Sequence, residues 1–112
     1  MSIEQLDVVD VVSIDKQTGD MILTISDHLD WADTVAHQTA LQAKFNNYLA
    51  FIESGEILTR YPDAKGRPVV IKVVFKYTPD QEGYGFLARA KAVIESAGFG
   101  FRHELFAESY DN

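Results

Sequence analysis

Val69-Val70-Ile71-Lys72-Val73-Val74-Phe75-Lys76-Tyr77 is the stretch on which the fold turns. It alternates, with Val69, Ile71, Val73, Phe75 and Tyr77 on one face and Val70, Lys72, Val74 and Lys76 on the other. That is the period of two of a β-strand. Thr78-Pro79-Asp80-Gln81 follows as a helix start, with Thr78 as N-cap, Pro79 at the first helical position and Gln81 placed for a capping box. The helix so begun sets Phe86, Leu87, Ala90, Val93, Ile94 and Ala97 at core positions and stops at Gly98. Phe99, Phe101, His103 and Leu105 then alternate into a last strand, with Arg102 and Glu104 opposite. A strand–helix–strand unit of this kind is expected to be a right-handed parallel crossover.

Upstream, the β-branched run Val8–Ile14 and the run Met21–Ser26 read as strands. They flank the polar turn Asp15-Lys16-Gln17-Thr18-Gly19-Asp20, which makes the pair a hairpin. Asp27, Asp30 and Asp33 are candidate N-caps for a long helix whose stripe is His37, Leu41, Phe45, Tyr48, Leu49 and Ile52, ending at Gly55. The segment 56–68 carries Pro62, Gly66 and Pro68 and reads as an ordered loop that tucks Ile57, Leu58 and Tyr61 onto the core. The order is β-β-α-β-α-β. The expected fold is α+β, a two-layer sandwich in which a four-stranded mixed sheet carries two helices on one face. Strand order does not follow from local patterning.

At 112 residues the chain suits a single domain, with 46% hydrophobic and 24% charged residues, near globular averages. It has no cysteine, which removes disulfide, thiolate and Cys-zinc chemistry. The first residues carry acids and lack the apolar run of a secretory signal, and no apolar run is long enough for a membrane span. A cytoplasmic location is expected. The net charge of −7 disfavours nonspecific attraction to nucleic acid or anionic lipid, so neither is an expected partner.

One set of positions resembles an uncharacterised bacterial family of small domains, catalogued only as a domain of unknown function. It comprises Val9-Asp10-Val11-Val12, Thr18-Gly19, Trp31, Leu41, Lys44, Tyr48, Phe51, Gly55-Glu56, Tyr61-Pro62, Gly66, Pro68-Val69 and Ile71. The resemblance covers most of the chain up to the third strand. It implies a compact α+β domain, and it implies no activity, cofactor or catalytic residue.

Candidate chemistry is sparse. Asp33 and His37 are four apart and share a helix face. Metal binding needs three or four converging ligands, however, and the aspartates already serve as caps. His103 and Glu104 are neighbours on a strand and point to opposite faces, which leaves His103 as a half-buried histidine beside Phe101 and Leu105. Gly83-Tyr84-Gly85 lacks the remaining residues of any nucleotide-binding loop, so close packing is the simpler account. No catalytic residue, metal site or cofactor is expected.

Two binding regions stand out. Trp31, His37, Tyr48 and Tyr61 gather aromatics around the long helix, as a contact patch or as plugs for the core ends. Lys72, Lys76 and Arg102 project from the sheet face away from the helices, among Val70, Val74 and Phe106. The expectation is a small acidic, non-enzymatic protein-binding module that meets a protein partner, or itself, through the open sheet face. The competing expectation is a small enzyme or ligand-binding domain with a pocket near the N-terminal half of the long helix.

Overall fold

The computed structural model describes residues 11–106. Its elements are β1 (Val11–Ile14), β2 (Met21–Asp27), α1 (Thr34–Glu53), α2 (Glu56–Arg60), a single 3-10 turn at Pro62–Ala64, β3 (Val69–Phe75), α3 (Gln81–Ser96) and β4 (Gly100–Leu105). Val8, Val9 and Asp10 of the expected first strand lie outside the described residues. The sheet order is β1-β2-β3-β4. β1 runs antiparallel to β2, while β2, β3 and β4 are parallel, so the sheet is mixed as the sequence suggests. Both parallel pairs are joined by helical crossovers, β2–α1–α2–β3 and β3–α3–β4.

The alternation in β3 sets its two faces as read, although Val70 on the outer face is buried as well. Ile71, Val73 and Phe75 are buried on the helix-covered face beside Leu23 and Ile25 of β2. Leu41, Phe45 and Tyr48 of α1 and Phe86, Leu87 and Ile94 of α3 complete the core. Phe45 shows why both helices share one face. Its ring stacks on Phe86 of α3 at 6.2 Å and meets Phe101 of β4 edge-on at 5.5 Å. No helix among the described residues is long and apolar enough to cross a membrane.

Local chemistry sets the element ends. Asp15 closes the β1–β2 turn by accepting the Gln17 and Thr18 amides at 2.8 and 3.2 Å. Those amides, helped by Arg102, hold its carboxyl below the ordinary value of 3.8. Asp33 caps α1 by accepting the Ala36 amide at 3.0 Å. α1 ends where Gly55 takes φ +85°, a conformation glycine adopts without a Cβ penalty, and α2 starts from that same residue.

Four details differ from the sequence reading. α3 starts two residues later than expected, because Asp80, not Thr78, is its N-cap and accepts the Gly83 amide at 2.7 Å. Asp80 also accepts the Thr34 hydroxyl at 3.2 Å, so one carboxylate ties the starts of both long helices and wins over the threonine. The segment 56–68 holds a third, short helix. One turn of helix offers a single inner side, so Ile57 is buried and Leu58 is exposed, while Tyr61 is half-buried. Val93 and Ala97 sit on the outer side of α3, beyond the stripe through Phe86, Leu87 and Ile94. β3 ends at Phe75, which leaves Tyr77 outside the ladder and exposed.

Candidate functional site

In open sheets of parallel strands, ligands tend to lie at the carboxyl ends of the strands. Here that end carries a buried polar pair. Asp27, the last residue of β2, and His37, one turn into α1, are both 2% exposed. Asp27 Oδ2 and His37 Nε2 are in direct contact. Asp27 Oδ1 accepts the Leu29 amide at 3.1 Å, and His37 Nδ1–H donates to the Asp30 carbonyl at 2.9 Å. A carbonyl only accepts, so Nδ1 carries a hydrogen, and the contact with Asp27 needs a further proton.

Trp31 closes the cluster. Its ring stacks on His37 at 3.7 Å and 20°, with Phe75 at 5.9 Å, and its indole N–H donates to the Tyr77 carbonyl at 3.3 Å. The partner that spacing suggested for His37 was Asp33, which is occupied as a helix cap. The actual partner, Asp27, is ten residues back and reaches His37 because residues 28–33 fold over the strand end. Every polar atom of the Asp27–His37 pair has a protein partner, so the cluster's hydrogen bonds serve to tie β2, the following loop and α1 together.

The structure unites Trp31 with His37 and separates them from the other two aromatics. Tyr48 is fully buried about three turns further along α1, and its hydroxyl donates to the Thr24 carbonyl at 3.4 Å. Tyr61 packs edge-on against Phe51 at 6.4 Å, at the opposite end of α1. Lys44, which the sequence reading marks only through the family resemblance, is a buried cation with its ammonium 5.5 Å from the Tyr48 ring centre. The signal was present. His37, Leu41, Lys44, Tyr48 and Phe51 step by four, three, four and three, the inner line of a helix.

On the open sheet face the three cations have different surroundings. Arg102 reaches across β3 to bridge Asp20 at 3.3 Å and Asp15 at 3.8 Å. Lys72 lies 4.0 Å from Glu104. Lys76 is exposed, 5.6 Å from the Tyr77 ring centre. Around Lys76, a concavity of about 350 Å³ is lined by Ser26, Asp27, His28, Val74, Lys76 and Phe106. No group of three or more His, Asp or Glu side chains among the described residues is arranged to hold a metal ion.

The close approach of Trp31 explains one of the two glycines in α3. A Cβ on Gly83 would fall 2.8 Å from Trp31 Cζ3, whereas at Gly85 the nearest neighbour is the flexible Arg89 tip at 3.6 Å. Gly83→Ala is therefore expected to destabilise by about 1 kcal/mol net, overpacking outweighing the gain in helix propensity. Gly85→Ala is expected to stabilise by about 0.5–1 kcal/mol. Urea denaturation of the two variants checks the pair, and equal effects of the same sign would contradict the packing account.

Residues 1–107 match the family model described as a family of unknown function, DUF6572. No curated protein and no solved structure matches the chain. The match spans nearly the whole chain, and it agrees with the uncharacterised family that the sequence pattern resembled: the chain belongs to the DUF6572 family.

Proposed function

We propose that the protein is a non-enzymatic protein-interaction module that binds through the carboxyl end of its sheet. The observation that carries this reading is a contrast in exposure. The best-built polar cluster, Asp27 with His37 under Trp31, is closed to solvent and satisfied internally. Next to it, Tyr77 and Phe106 are each nearly half exposed beside the exposed Lys76. Large apolar and aromatic groups beside a cation are the composition of an interaction surface. The matching partner is a protein segment that seats an apolar side chain between Val74 and Phe106 and offers a carboxylate to Lys76.

Selection of peptides from a random display library on the immobilised protein tests this. Enrichment of peptides with a Leu or aromatic residue adjacent to Asp or Glu is expected, with that enrichment lost on the folded Lys76→Glu/Phe106→Ser variant. No enrichment of that motif, or equal enrichment on the variant, would overturn the reading.

A further inference from the structure

β4 is an edge strand, bonded among the described residues to β3 alone. The Phe106 amide donates inward to the Phe75 carbonyl at 2.7 Å. A residue's N–H and C=O point to the same side of a strand, and the side alternates along the chain. The even-numbered residues of β4 therefore bond to β3, and Phe101, His103 and Leu105 present their N–H and C=O outward.

From this edge we infer a symmetric dimer in which β4 pairs antiparallel with β4 of a second copy, centred on His103, to make one continuous eight-stranded sheet. The side-chain pattern selects both the partner and the register. Phe101-Arg102-His103-Glu104-Leu105 reads apolar, basic, histidine, acidic, apolar, and so complements itself when reversed. Centred on His103, Phe101 faces Leu105 of the second copy on the helix side, and Arg102 faces its Glu104 on the open side. The three outward residues then exchange about six backbone hydrogen bonds, and the charged pair falls in the closer, non-hydrogen-bonded position. Centring on Arg102 or on Glu104 would set like charges opposite one another. A half-step shift would put side chains on the wrong faces. Arg102 already lies against Asp20 and Asp15, and Glu104 against Lys72, so the joined strands extend a network of alternating charge across the two-fold axis. The contact is smaller than a standard interface, so a dissociation constant around micromolar is expected. The inference uses the strand edge, not the concavity at Lys76, and stands or falls independently of the function proposed above.

At the axis the two His103 rings meet. In the single chain His103 is exposed, not half-buried as its alternation suggests, because β4 is an edge, and each ring is faced from α3 by Lys91 and Tyr84 and from β3 by the apolar Phe75. Burial, then the Lys91 charge, lowers the His103 pKa from its ordinary 6.5, so the rings are neutral at neutral pH. Protonation as pH falls through that lowered value sets two like charges together. Pairing is therefore strongest above about pH 6.5 and weakens with acid.

Sedimentation velocity over a concentration series tests the dimer by charge complementation. Glu104→Arg and Arg102→Glu each place like charges across the axis, and each alone is expected to weaken self-association about tenfold or more. An equimolar mixture of the two variants restores both opposite-charge contacts, and is expected to associate as tightly as the wild type. His103→Gln is expected to flatten the loss of dimer between about pH 7.5 and pH 5.5. Far-ultraviolet circular dichroism establishes that each variant is folded. A wild-type monomer at all concentrations, variants that associate like the wild type, or two weakened variants whose mixture stays monomeric would each overturn the inference. Acid sensitivity unchanged in His103→Gln would overturn the register.

Discussion

Asp27→Ala is expected to cost about 3–5 kcal/mol, because it leaves the buried His37 ring without its partner and orphans the Leu29 amide. Removing one member of a buried, hydrogen-bonded pair is among the most damaging single changes a small domain can suffer. Asp27→Asn should behave very differently. With His37 neutral and its hydrogen on Nδ1, donating to the Asp30 carbonyl, Nε2 becomes an acceptor. The new amide then donates to Nε2 and accepts from Leu29, so each bond has a counterpart and the cost falls to about 1 kcal/mol. Asp27→Ala/His37→Ala should cost clearly less than the sum of the single variants, because each alone strands the other's polar group. Urea denaturation at neutral pH measures all four. Equal losses for the Ala and Asn variants at Asp27 would show that the carboxylate acts only as bulk.

Phe45→Ala is the second change expected to have a large effect, at about 3–5 kcal/mol. Phe45 packs against both Phe86 of α3 and Phe101 of β4, so its loss opens a void where α1, α3 and the sheet meet. In a domain of this size the midpoint of thermal melting should fall by at least ~12 °C. Phe45→Leu, which keeps most of the volume, should lose less than half as much. Calorimetry of the two variants checks both statements. A Phe45→Ala loss below about 1 kcal/mol would mean that the helices reach one another through other contacts.

What the sequence disclosed follows from the range over which each signal acts. The alternation through Val69, Ile71, Val73 and Phe75 is local, and it gave strand, buried face and crossover together. Likewise the helical stripe placed Leu41, Phe45 and Tyr48 correctly in the core. Spacing rules fail where the chain leaves regular structure. Asp27 meets His37 through a folded loop, which no helical period encodes, and so spacing points to the neighbouring Asp33 instead. The Arg102–Asp20 contact spans 82 residues and depends on a strand order that local pattern does not specify. Leu58 and Val93 show the converse limit. Both are apolar and fall close to core positions, yet a rotation of one residue about the helix axis turns each to solvent. Of the seven binding candidates, Trp31 and His37 come together, Tyr48 serves the core, and Lys76 keeps its charge at the surface.

The parallel pairing of β2 with β3 has a consequence for how the chain assembles in time. Met21 lies opposite Val69 and Ile25 opposite Val73, in each case a partner 48 residues further on, and β4 then pairs with residues 30 positions behind it. No part of this central ladder forms by zipping outward from a tight turn. The helices must first shorten the intervening chain before the strands can meet, so the barrier to folding is dominated by loop closure. Folding on a scale of ~milliseconds or slower is expected, with β1–β2 available early as a local hairpin and the β2–β3 seam as the late event that commits the molecule. During synthesis that seam cannot close until β3 has emerged, and until then the Met21–Asp27 edge is the surface most in need of protection.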